Sequence, residues 1–163
     1  TWKAIALGQS LSLVVPHSRT RFEGISNGNH GPAMGREHEV ARILRFIKKE
    51  QIRNVAWFTA DVHYAAAHFY DPEHASFTAF DPFWEFVAGP LNAATFGPNP
   101  MDRTFGCRSK YVSLPAGTRS RRSPLDGLQF FGEARVDPES RGLEVTLLNM
   151  KGEALWRKQL DAM

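Results

Sequence analysis

The sequence predicts an α/β domain with mixed β-sheets and flanking helices. Three observations carry that expectation: one strongly amphipathic segment, the near-continuous apolar run that follows it, and a C-terminal region of alternating polar and apolar residues. The chain has 163 residues, of which 42% are apolar, 12% aromatic and 23% charged, as in an ordinary globular polypeptide of about one domain. We read residues 1–163 as a single domain, with no internal repeat and no dividing linker.

Taken in order, residues 2–7 and 11–15 read as short strands, the second stopped by Pro16. The segment from His17 to Gly35 reads as loop, with four glycines and the run Ser26-Asn27-Gly28-Asn29-His30-Gly31-Pro32. A helix follows. Val40, Ile43, Leu44 and Ile47 recur at helical spacing, with Glu37 and Glu39 in the first turn and Lys48 and Lys49 in the last, as the helix dipole favours. Val55 to Ala60 is then apolar almost throughout, the pattern of a strand buried on both faces. Further strands are expected at 64–70 and 84–88. Residues 129–136, 143–148 and 154–160 alternate cleanly enough for an antiparallel meander with one wet face.

Composition excludes several functions. A single cysteine, Cys107, leaves no internal disulfide and no cysteine zinc finger. No apolar run approaches the roughly 20 residues that span a bilayer. The formal charge of +3 is too small to mark a nucleic-acid binder, and the one basic cluster, Arg103 to Arg122, reads as a solvated loop rich in Ser, Gly and Pro. No secretory signal opens the chain, and Thr1 stands directly before a strand-like run, which reads as a start inside a larger protein.

Several catalytic motifs nearly occur and fail. His38-Glu39-Val40-Ala41-Arg42 has Arg where a zincin needs its second histidine, so His38 and Glu39 read as an exposed helix start. Cys107 lacks the arginine of a cysteine-phosphatase loop and reads as an incidental thiol in a loop. Neither a nucleophile elbow nor a P-loop is present.

The strongest feature is Ala60-Asp61-Val62-His63-Tyr64, at the end of the buried strand. On an extended chain Asp61 and His63 point to the same side, where sites form in open α/β sheets. A carboxylate and an imidazole in an apolar setting must be paired or liganded. Two readings stay open: a buried Asp–His hydrogen bond, or a metal site with a hard oxygen and an imidazole ligand.

This segment, with its Ile52-Arg53-Asn54-Val55 lead-in, resembles the signature of the alkaline phosphatase D family of metal-dependent phosphodiesterases and phosphomonoesterases. The resemblance extends through Phe22-Glu23-Gly24, Gly35-Arg36-Glu37, Asp81-Pro82-Phe83-Trp84-Glu85-Phe86-Val87, Gly89-Pro90-Leu91, Thr95-Phe96-Gly97-Pro98-Asn99 and Gly127-Leu128-Gln129-Phe130-Phe131-Gly132. It covers nearly the whole chain but only the C-terminal half of the family's phosphoesterase domain. It implies a calcineurin-like α/β/β/α sandwich, two mixed sheets packed face to face with helices outside.

By the same resemblance, Asp61 binds calcium and His63 iron, with zinc, manganese or magnesium as other possible metals. The remaining ligands come from an N-terminal half that is not in this chain. The implied activity is phosphate ester hydrolysis by a metal-bound hydroxide, and the implied compartment is secreted or periplasmic. Gly28-Asn29-His30-Gly31 imitates a metallophosphoesterase motif that belongs to the earlier half, so it reads as a glycine-rich loop; His17, Asn29, His30 and Tyr64 are placed only in the site's vicinity. His68 and His74 read as ordinary strand or surface histidines. The alternative is a non-catalytic fragment or binding module, because two ligands seldom hold a metal against water. The sequence predicts no specific nucleic acid, no membrane span and no particular oligomeric state.

Overall fold

A computed structural model describes residues 1–12, 25–98, 100–115, 118 and 122–163. Its elements are β1 (Lys3–Ala6), α1 (Glu37–Lys49), β2 (Val55–Thr59), β3 (Ala66–Tyr70), β4 (Phe83–Val87), β5 (Cys107–Val112), β6 (Phe130–Val136), β7 (Leu143–Asn149) and β8 (Ala154–Leu160). The first five strands form one sheet in the order β1-β2-β4-β3-β5, and the last three form a second, β6-β7-β8. In the larger sheet β1, β2 and β4 are parallel, while β3 runs antiparallel to β4 and β5. The chain therefore has the mixed α/β fold that its patterning predicts, and its C-terminal meander is antiparallel throughout.

The larger sheet is covered on both faces, which explains the unbroken apolar run of β2. On one face Trp57, Tyr70 and Phe83 pack with Val40, Ala41 and Leu44 of α1 and with Phe80 and Phe105. On the other, Ala56, Ala67 and Phe86 meet Phe130, Leu143, Val145 and Leu147 of the second sheet. Trp156 of β8 bridges the sheets, its ring 6.0 Å from Trp84, 6.3 Å from Phe86 and 5.9 Å from Tyr111.

Four sequence expectations are corrected. Ile43 is 38% exposed and Ala41 is buried instead, so the packed stripe of α1 is turned slightly from the one the largest side chains suggest. Glu37 sits in the first turn as expected and is fully buried, its carboxylate accepting from Asn27 N, Asn27 Nδ2 and Met34 N at 2.7, 2.7 and 3.0 Å. The basic stretch after Arg103 is not all loop: residues 107–112 form β5, an edge strand whose charged side chains face water. Edge positions tolerate such charges, which is why apolar periodicity does not reveal them. Cys107 is accordingly the first residue of a strand, its Sγ 3.5 Å from Met101 Sδ. Of the expected strand at 11–15, Leu11 and Ser12 lie in a turn, and the rest falls outside the described residues.

His68 of β3 is fully buried, with Nε2 3.4 Å from Ser12 Oγ and no partner for Nδ1 among the described residues. Burial lowers its pKa from 6.5, outweighing the raising effect of the nearby Glu85 charge. A base that is harder to protonate folded than unfolded contributes stability above pH 6.5, which is lost as pH falls below 6.5 and through the lower folded value. Replacing His68 with glutamine should flatten the fall in Tm between about pH 8 and about pH 5. A slope identical to the wild type's would place the acid sensitivity elsewhere.

Candidate metal centre at the end of strand β2

Strand β2 ends at Thr59, and its last residue pairs with Val87 at the end of β4, beside Ala66 at the start of β3. Between these strand ends the chain must turn back on itself. It does so through two residues with left-handed backbones, Asp61 (φ 75°) and His63 (φ 55°). The extended geometry expected from sequence is therefore absent. Asp and His are among the side chains that tolerate this region, at a cost of about 1–3 kcal/mol each that the surroundings must offset.

Burial nevertheless alternates along the turn. Val62 and Tyr64 are fully buried in the core between the sheets, His63 is half-buried and Asp61 is exposed. The turn thus anchors itself by its apolar members and leaves the two candidate ligands on its outer side. The premise that the Asp61 carboxylate sits in an apolar environment does not hold, and no hydrogen bond or ion pair with another described residue occupies it. Tyr64 is a core residue, not an open wall of the site.

His63 is held from two directions. Its Nδ1 hydrogen-bonds the Ala94 carbonyl oxygen, and its ring stacks on Phe96 with centroids 4.3 Å apart. A carbonyl only accepts, so Nδ1 carries the hydrogen, and in the neutral imidazole Nε2 keeps the lone pair. A backbone anchor on one ring nitrogen is how metal-binding histidines are oriented, with the other nitrogen left for the ion. The anchor is itself fixed: fully buried Thr95 exchanges backbone hydrogen bonds with Arg122 at 3.0 and 2.9 Å, and its Oγ1 donates to Leu128 O at 2.8 Å. Sequence reasoning assigned no role to Ala94 or Phe96. Phe96 could have been flagged as an aromatic within a family-like word, but a backbone carbonyl leaves no trace in sequence.

Among the described residues, no hydrogen bond brings Asn29 or His30 to this turn. Asn29 Oδ1 accepts from Gly31 N, and His30 N donates to Asp102 Oδ1 at 3.1 Å. The Asp102 carboxylate also accepts from Ser26 Oγ, Gly28 N and Thr104 N at 2.7, 2.9 and 3.0 Å, and Ser76 Oγ donates to His30 O. Burial would raise the pKa of Asp102, but these hydrogen bonds outweigh it and hold the group below 3.8. Asp102 is the clamp that shapes the glycine-rich loop. His74 lies 3.8 Å from Asp71, whose main partner is Arg108 at 2.6 Å. His17 lies outside the described residues.

Asp61 and His63 fit a metal in their chemistry: an exposed hard carboxylate and an imidazole with one nitrogen anchored and one left to coordinate. Among the described residues no group of three or more His, Cys, Asp and Glu could hold a metal ion, so further ligands would have to come from elsewhere.

The family model of the PhoD-like phosphatases matches residues 1–147. The chain belongs to this family. As a PhoD-like phosphatase chain it has a phosphatase-type function, and a phosphate ester is its class of substrate. No curated protein matches the chain. Among the described residues of this PhoD-like chain, no helix is long and apolar enough to cross a membrane.

Proposed function

We propose that this chain supplies part of the metal centre of a phosphodiesterase/alkaline phosphatase, with Asp61 and His63 as two of the ligands. The observation that carries the reading is the anchored imidazole, since the Ala94 carbonyl fixes the tautomer and leaves Nε2 for an ion. Calcium suits the Asp61 oxygen, and iron suits the His63 nitrogen. Zinc, manganese and magnesium are the competing occupants. The remaining ligands would come from a preceding half of the same protein.

A metal held there supplies positive charge to polarise the phosphoryl oxygens and to acidify water. The chain's own contribution is orientation. Phe96 and Ala94 keep the imidazole from rotating, while buried Val62 and Tyr64 keep Asp61 and His63 on the outer side of the turn. Asp61 adds negative charge that favours a cation. Neither residue is a nucleophile in this account.

Metal removal tests the reading. Dialysis of the full-length protein against a chelator should abolish hydrolysis of bis-p-nitrophenyl phosphate, and calcium with iron should restore it. Undiminished turnover in the metal-free protein would refute it. Residues 1–163 alone should show no hydrolysis, and strong activity from them would contradict the sharing of ligands between two halves.

A further inference from the structure

Glu85 is a carboxylate in the middle of an aromatic strand, Phe83-Trp84-Glu85-Phe86-Val87, and is fully buried. It lies opposite Trp57 on β2 and opposite His68 on β3. A charge in such a place survives only when fully hydrogen-bonded. Three different segments supply the donors. Leu11 N and Thr59 Oγ1 donate to Oε1 at 2.9 and 2.5 Å, and Tyr70 Oη donates to Oε2 at 2.6 Å.

Two of those segments bear on the metal turn. Thr59 is the last residue of β2, two before Asp61. Leu11 belongs to the turn after β1, which is tied to the next residue as well, because Ser10 N donates to Ala60 O at 2.9 Å. The chain entering the left-handed Asp61 is thereby gripped at Thr59 by a side chain and at Ala60 by a backbone bond, and Glu85 ties Thr59 to the turn that holds Ala60. On the far side the turn is fixed by Ala94 to His63 and by Ser113 to Ala65. Without the near-side grip, Asp61 could relax from its unfavoured backbone conformation.

We propose that Glu85, acting through Thr59 and Leu11, is a positioning residue that holds Asp61 in its metal-binding conformation. The proposal rests on the reading of Asp61 as a ligand. It assigns a role in the site to a core acid that reaches neither substrate nor metal.

The test uses the full-length protein, calcium titration of the metal-free form, and kinetics with bis-p-nitrophenyl phosphate. Thr59→Val keeps the shape of the side chain and removes the donor; it should weaken calcium binding and lower kcat about 10- to 100-fold, the usual effect of losing a residue that orients a ligand. Thr59→Ser keeps the hydroxyl and should stay within about threefold of wild type on the same scale. Tyr70→Phe removes a donor from the other carboxylate oxygen, away from the turn, and should lower Tm while leaving calcium affinity unchanged. If Thr59→Val does not fold, Thr59→Ala removes the same donor. Calcium affinity equal to wild type in a folded variant lacking the hydroxyl would overturn the proposal, as would an equal loss in Tyr70→Phe. Asp61→Asn separates the two levels: normal calcium binding in that variant overturns the ligand reading itself, whereas weakened binding there beside a normal Thr59→Val overturns only the positioning role.

Discussion

Replacing His63 with alanine in the full-length protein should lower kcat/KM for a phosphate ester by at least about a hundredfold, the scale on which a single preorganised electrostatic contact is measured. The loss should fall mainly on kcat if the imidazole serves to hold charge that stabilises the transition state, since uniform binding would move KM instead. The structure separates this effect from unfolding. His63 is only half-buried, and its removal leaves the Ala94 carbonyl near the surface, so the Tm should fall by no more than a few degrees, equivalent to about 1 kcal/mol. Phe96→Leu provides the graded comparison. It removes the stacked ring without touching the Nδ1 anchor and should cost less than His63→Ala. An activity for His63→Ala within twofold of wild type would end the assignment.

The second large effect is on stability. Phe86 of β4 is buried between the two sheets, its ring 5.8 Å from Phe58, 6.0 Å from Trp84 and 6.3 Å from Trp156. Truncation to alanine removes the ring from the layer where the sheets meet and leaves a cavity with aromatic walls that cannot collapse onto it. The cost should be about 3–5 kcal/mol, which for a chain of this size lowers Tm by roughly 6–20 °C. Phe131, an aromatic on β6, is 37% exposed, and its alanine variant should shift Tm by no more than a few degrees, equivalent to about 1 kcal/mol. Thermal melts of the two variants check the packing directly; similar shifts would contradict it.

These contrasts show which features the sequence made legible. Helix α1 and strand β2 were readable because each buries a fixed pattern, a stripe in one case and two full faces in the other. The C-terminal meander was readable from its three short strand-like runs and the turns between them, although β6 is exposed on both faces from Phe131 to Val136 rather than on one. Strand β5 was not, since an edge strand carrying Arg108 and Lys110 has no apolar period to detect. The Asp61-x-His63 spacing stands out in the sequence, but its backbone geometry was not legible there. Two left-handed residues replace the extended backbone, and the burial of Val62 and Tyr64 leaves the pair on the outer side. Glu85 was visible as a lone acid among aromatics, and that alone should have marked a buried carboxylate in need of donors. Its partners, Leu11, Thr59 and Tyr70, lie 74, 26 and 15 residues away, and no local pattern could name them.

The central claim is that Asp61 and His63 hold metal in the intact phosphatase. Metal analysis of the full-length protein, purified in parallel as wild type, Asp61→Asn and His63→Ala, tests it most directly. The account predicts that Asp61→Asn loses bound calcium and His63→Ala loses bound iron while both remain folded. Wild-type content of both metals in both variants would contradict it.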